Sequence, residues 1–224
     1  MSGAAKKLPL VIGKSKNPRI FENFDSSKYV DYKNTTNAWM ISSLFNMWLF
    51  NWNNELIKER KKILLVIDNA SSHKILNDFS NIETIFLPPN TTGTLQPMDR
   101  GVIRSFKCKF TALKLNHIID LVDSDCDVYQ CYKSFDLETA CIFISLAWKR
   151  VTADTIKNCF GPLGGIMHSL KWIGLKIKPK RIFSKILWKF QKYKILSSSQ
   201  NLWIYNMIYR CFTHRRWIRR NEAD

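Results

Sequence analysis

Ile63-Leu64-Leu65-Val66-Ile67-Asp68-Asn69-Ala70-Ser71-Ser72-His73 is the stretch whose reading decides the fold. Five consecutive apolar residues, three of them β-branched, read as a short strand covered on both faces. That is the pattern of an inner strand in an α/β sheet flanked by helices. A carboxylate follows the last apolar residue directly. In open α/β folds ligands gather beyond the carboxyl ends of strands. A charge left there is costly unless it is paired or holds a cation. Position alone therefore marks Asp68 as a candidate site residue.

Downstream, Ser71 or Ser72 caps a short helix expected through Phe79, and Ile82 to Leu87 reads as the next strand, stopped at Pro88-Pro89. Gln96-Pro97-Met98-Asp99 opens a further helix, with Pro97 suited to its first turn and Asp99 near its positive end. Val102, Phe106, Phe110 and Leu113 form its apolar stripe. Arg100, Arg104 and Lys107 recur on another face, either as a solvated face or as a row of phosphate contacts. Residues 120–136 are an acidic loop. Asp123, Asp125 and Asp127 begin like a calcium loop, but Val128 stands where a glycine is needed and Ser134 where a glutamate is needed. A helix from Leu137 to Trp148 follows, and Thr152 caps a short one ending near Phe160.

Upstream, Leu8 to Ile12 reads as a strand ending at Gly13, and the loop after it carries Lys14, Lys16 and Arg19, which can face phosphate or solvent. A helix capped by Thr35 or Thr36 is expected to run to about Arg60. Trp39, Met40, Phe45, Trp48, Leu49, Trp52 and Leu56 give it a core-facing stripe.

The chain has 224 residues, 35 of them Lys or Arg and 18 Asp or Glu, for a formal net charge of +17. Residues 1–160 contribute +5 of this and residues 161–224 contribute +12. With 46% apolar residues, a wholly disordered chain is excluded. The surplus charge points to an anionic partner, nucleic acid or an acidic membrane surface. No apolar run approaches the roughly 18 residues needed to span a bilayer, and the first residues lack the apolar stretch of a secretory signal. Six cysteines without CxxC spacing point to reduced thiols and not to zinc. After Phe160 the texture changes. Gly161-Pro-Leu-Gly-Gly165 is a breaker cluster, residues 181–194 form a basic amphipathic helix candidate, and His214 to Arg220 is a basic patch around one tryptophan.

Taken in order, Ile63 to His73, Ile85 to Thr92 and Leu95 to Lys107 are similar to the DDE superfamily endonuclease domain, in its pogo and Tigger type with jerky and centromere protein B relatives. Leu10 to Arg19, Ala38 to Met40, Phe45, Trp48-Leu49, Ala147-Trp148 and Thr155 to Phe160 fit the same pattern. The resemblance covers residues 7–160. It implies an RNase H-like fold, a mixed central sheet flanked by helices. It also implies three carboxylates holding two divalent metals, Mg²⁺ or Mn²⁺, for DNA strand cleavage and transfer. Asp68 matches the second acid and Asp99 the third, so both are expected to be catalytic and to ligate metal. The first acid lies on a strand that would precede Leu8. Asp25 and Asp31, in a connecting segment, are not expected to replace it. The expectation is thus an incomplete fold that binds metal weakly and has lost catalysis. DNA is its expected partner and the nucleus its expected location, with dimerisation left open. Arg100, Arg104, Lys107, Lys14, Lys16 and Arg19 are the expected DNA contacts. Residues 161–224 carry no traceable resemblance and read as a basic, aromatic-rich tail, helical or disordered. They are either the product of decay or read-through, or a domesticated binding element. The alternative function is accordingly a non-catalytic DNA-binding or interaction protein acting through that tail.

Overall fold

A computed structural model describes residues 5–87, 95–124, 127, 130–131 and 134–161. In chain order these form strands β1 (Leu10–Gly13) and β2 (Asp31–Asn34), helix α1 (Ser42–Lys58), strands β3 (Ile63–Ile67) and β4 (Ile82–Phe86), and helices α2 (Ile103–Val122) and α3 (Leu137–Arg150). Residues 153–161 are also helical. The chain is α/β, and it divides into two compact units. One comprises Met40–Val102 with the helix at 153–161; the other comprises Lys7–Trp39 with Ile103–Thr152.

In the first unit β3 pairs with β4 in parallel, Ile63 opposite Ile82 and Ile67 opposite Phe86. All five β3 side chains are buried, as a continuous apolar run requires. The pairing is continued by Leu87 N–H, which donates to Ile67 O at 2.8 Å. Phe45, Trp48, Leu49, Trp52 and Leu56 of α1 are buried, as their spacing led us to expect. The helix starts later than the sequence suggests, at Ser42 and not after Thr35 or Thr36. Thr35 Oγ1 accepts from Trp39 N–H at 2.9 Å and donates to Trp39 O at 2.8 Å, closing a tight turn. Ala38 then takes a positive φ of 53°, which no helix continues through. The other end closes through a Schellman arrangement. Arg60 takes φ 53°, and the N–H groups of Arg60 and Lys61 donate to Ile57 O at 3.1 Å and Leu56 O at 2.9 Å.

The helix expected from Ser71 to Phe79 is a single 3-10 turn, Ser71–His73. Asn46 of α1 explains the difference. Its Nδ2 donates to Lys74 O at 2.8 Å and its Oδ1 accepts from Leu76 N–H at 2.9 Å, claiming backbone groups that a longer helix would use itself.

In the second unit β1 pairs with β2 in parallel, Leu10 opposite Asp31. Gly13 sits under the Tyr32 ring, where a Cβ would clash with the phenol oxygen. α2 packs against α3 and the residue before its cap through aromatic edges: Phe110 on Phe135 at 6.2 Å and His117 on Phe143 of α3 at 5.6 Å between centroids. Asp136 caps α3, its Oδ1 accepting from Thr139 N–H at 2.8 Å. Trp148 Nε1–H donates to Lys7 O at 3.0 Å and ties α3 to the start of the chain.

The mixed central sheet expected from the resemblance is not what the described strands form. They make two separate parallel pairs. Each pair is joined by a connection long enough for the crossover that parallel pairing demands, residues 14–30 and 68–81. The stretch Pro88 to Thr92 and the tail from residue 162 lie outside the described residues.

Candidate metal centre at the end of strand β3

The buried strand β3 delivers Asp68 to the C-terminal edge of its sheet. There the carboxylate is partly exposed, at 16% of its side chain. Its Oδ1 has two polar neighbours. One is Ala70 N–H, which donates to it at 3.3 Å in a local turn of the kind aspartate favours. The other is His73 Nδ1, in ion-pair contact at 2.6 Å, while the ring's hydrogen bond runs to Asp68 O at 3.3 Å. His73 is 2% exposed, so it reaches Asp68 from inside the protein. The neighbouring Asn69 closes the edge, its Nδ2 donating to Leu87 O at 2.7 Å and so linking the ends of β3 and β4.

Asp99 belongs to the same unit. It stands exposed in Met98–Val102, a π-helical turn that runs into α2. Met98 and Val102 are fully buried on either side of it and anchor the turn. Cys159 packs against this turn: a Cβ at Gly101 would lie 3.0 Å from its sulfur. Burial pushes the Cys159 thiol up, opposed by a hydrogen bond from the Val102 backbone and the charge of Arg100.

The expected row of Arg100, Arg104 and Lys107 assumed one continuous α-helix. The π turn, with non-helical backbone at Gly101, breaks that spacing, so Arg100 stands in the turn and does not extend the α2 row. Arg104 is exposed and Lys107 half-buried on α2. Lys14, Lys16 and Arg19 are exposed in and beside the loop after β1, which Tyr32 Oη–H holds by donating to Ser15 O at 2.9 Å. Asp25 and Asp31 have local duties. Asp25 accepts from Ser27 N–H at 3.2 Å and Oγ–H at 2.6 Å, and the latter bond leads in holding its carboxyl below the usual range. Asp31 pairs with Lys33 at 2.8 Å.

Some contributors were not legible beforehand. Asn69 carried no signal beyond adjacency to Asp68, and the packing of Cys159 on Gly101 carried none. His73 makes a local hydrogen bond, to the backbone oxygen of Asp68 at 3.3 Å.

Residues 1–160 match the model of the DDE superfamily endonuclease family. The chain belongs to that family. Among its relatives, mouse Tigger transposable element-derived protein 4 is 26% identical over 73% of this chain and 31% of its own length. Protein PDC2 of Saccharomyces cerevisiae is 25% identical over 84% of this chain and 25% of its own. Human major centromere autoantigen B is 26% identical over 75% of this chain and 28% of its own. The chain thus spans less than a third of the length of these relatives. No solved structure matches it.

This DDE chain's family implies a divalent cation. Such a cation takes hard oxygen donors, and Asp68 and Asp99 are of that type. Among the described residues no group of three or more His, Cys, Asp or Glu side chains is placed to hold a metal. The two carboxylates match the cation in donor chemistry only.

Proposed function

We propose that this chain is a DNA-binding DDE-type domain of RNase H-like ancestry, with Asp68 and Asp99 as ligands of a Mg²⁺ or Mn²⁺ ion. Support comes above all from Asp68, held at the open end of a fully buried strand in a chain whose residues 1–160 match the family. When bound, such a cation supplies Lewis-acid stabilisation of phosphodiester oxygens. The chain's own residues hold the carboxylates still and present cations to DNA. Arg100, Arg104, Lys107, Lys14, Lys16 and Arg19 are the phosphate contacts in this reading. A nuclear location fits a DNA partner.

Two measurements on the full chain test the reading. Binding to labelled duplex DNA should weaken with salt, and each true phosphate contact replaced by Gln should lower the log–log slope by about 0.9. Absence of duplex binding at low salt would defeat it. Plasmid incubated with Mn²⁺ should remain supercoiled; nicking by the wild type that vanishes in Asp68→Ala would instead establish a working nuclease.

The +12 charge of residues 161–224 favours a second reading, in which the tail is the binding element. Replacing Arg215, Arg216, Arg219 and Arg220 with Gln discriminates. A large fall in DNA affinity supports the tail, and an unchanged affinity supports the domain.

A further inference from the structure

We infer that His73 is a positioning residue that sets the orientation of the Asp68 carboxylate, and with it the strength of cation binding; this rests on the reading of Asp68 as a cation ligand.

The geometry has three parts. First, the His73 ring is buried, with Nδ1 at 2.6 Å from Asp68 Oδ1 and 3.3 Å from Asp68 O. Two oxygen acceptors facing one ring nitrogen require that nitrogen to carry the proton, which fixes the tautomer with Nδ1–H donating. Second, the ring is itself fixed. Phe45 packs against it at 5.1 Å between centroids. The turn that bears it is pinned by His73 N–H donating to Ala70 O at 2.9 Å and by Ser42 Oγ–H donating to Ser71 O at 3.1 Å. Third, Ala70 N–H shares the same Asp68 oxygen. The Ala70 N–H and the His73 ring thus both meet Oδ1, and no hydrogen bond to Oδ2 is formed among the described residues.

A carboxylate tethered through one oxygen loses its rotational freedom before a ligand arrives. It offers the other oxygen in one direction, which favours single-oxygen ligation. The same burial argues against a general-base role. A ring 2% exposed, with Nδ1 already engaged by the Asp68 carboxylate and backbone oxygen, is not presented to an incoming substrate.

The test is Mn²⁺ binding to the full chain, read from free Mn²⁺ by electron paramagnetic resonance. The variants are His73→Asn, His73→Gln and Asp68→Ala. An asparagine amide falls near the position of imidazole Nδ1, whereas a glutamine amide falls near Nε2. His73→Gln should weaken binding by roughly 10-fold, the scale of a lost outer-shell partner. His73→Asn should restore most of it, and Asp68→Ala should weaken it furthest.

Equal losses in both His73 variants, as a packing defect would give, overturn the inference. So does wild-type affinity in His73→Gln. If Asp68→Ala binds Mn²⁺ like the wild type, or the wild type binds none, the ligand reading of Asp68 fails and the inference with it. If only the His73 variants are silent, the inference fails alone. Should His73→Gln not fold, the wild type still decides. The downfield proton resonance of His73 Nδ1–H should shift as Mg²⁺ is added, and a resonance indifferent to saturating Mg²⁺ overturns the inference.

Discussion

Strand pair β3–β4 and strand pair β1–β2 have the same parallel topology and nearly the same length, yet they are built from different chemistry. β3 is apolar at every position and buried at every position. β1 buries only Leu10 and Val11, and its partner β2, Asp31–Asn34, is half-buried or exposed throughout. A strand that gives both faces to the interior cannot tolerate water on either side, and its end is a fixed point from which a carboxylate can be aimed. A strand with one apolar partner and one polar partner is held largely by backbone pairing and a few rings. In the first pair Asp68 is gripped from within by His73; in the second Asp31 meets Lys33 near the surface. Carboxylates of the same type therefore have different prospects, and the difference originates in the strands that carry them.

The contrast is broken most severely at β3. Leu65→Ala removes a side chain that is 0% exposed and should cost about 2–5 kcal/mol in chemical denaturation. Lys33→Ala in β2, losing a surface ion pair, should change stability by less than about 1 kcal/mol. Comparable values for the two would end the distinction. Gly13→Ala comes next. Its new methyl would displace the Tyr32 phenol from its bond to Ser15 O, for a loss of about 1–2 kcal/mol in the same assay.

A smaller effect runs the other way. Arg60 holds a left-handed conformation at the C-terminal cap of α1, just ahead of β3. Arg60→Gly relieves that position and should raise stability by about 0.5–1 kcal/mol. A lower melting temperature would contradict the cap.

The mildest prediction concerns pH. Burial, with Asp136 and Glu138 adding to it, pushes the Cys141 thiol from about 9 to about 12. The folded chain holds this proton where the unfolded chain releases it. Its contribution to stability is therefore complete below pH 9 and declines as pH rises toward 12. At pH 9 iodoacetamide should modify exposed Cys108 and spare Cys141 in the folded chain, as peptide mass mapping would show.

The most legible elements were those with the simplest rule. β3 follows from its unbroken apolar run and α1 from its aromatic spacing, and Asp68 stood out because a charge ended that run. What escaped were decisions made by side chains distant in sequence. Asn46 holds residues 74–76 out of a helix from the middle of α1. Ala38 and Arg60 adopt positive φ with no glycine to announce it. Gly101 breaks the helical register between Arg100 and Arg104, so an evenly spaced basic row in the sequence is not one row on a helix. The His73–Asp68 bond lies between these cases: both residues are visible in one short motif, but only the 3-10 turn brings the ring back to the carboxylate.

The proposed cation site, Asp68 after β3 and Asp99 in the Met98–Val102 turn, is best probed by soaking crystals of the full chain in Mn²⁺. Anomalous difference density should show an ion contacting the carboxylates of Asp68 and Asp99. Density elsewhere with none at Asp68 would contradict the account.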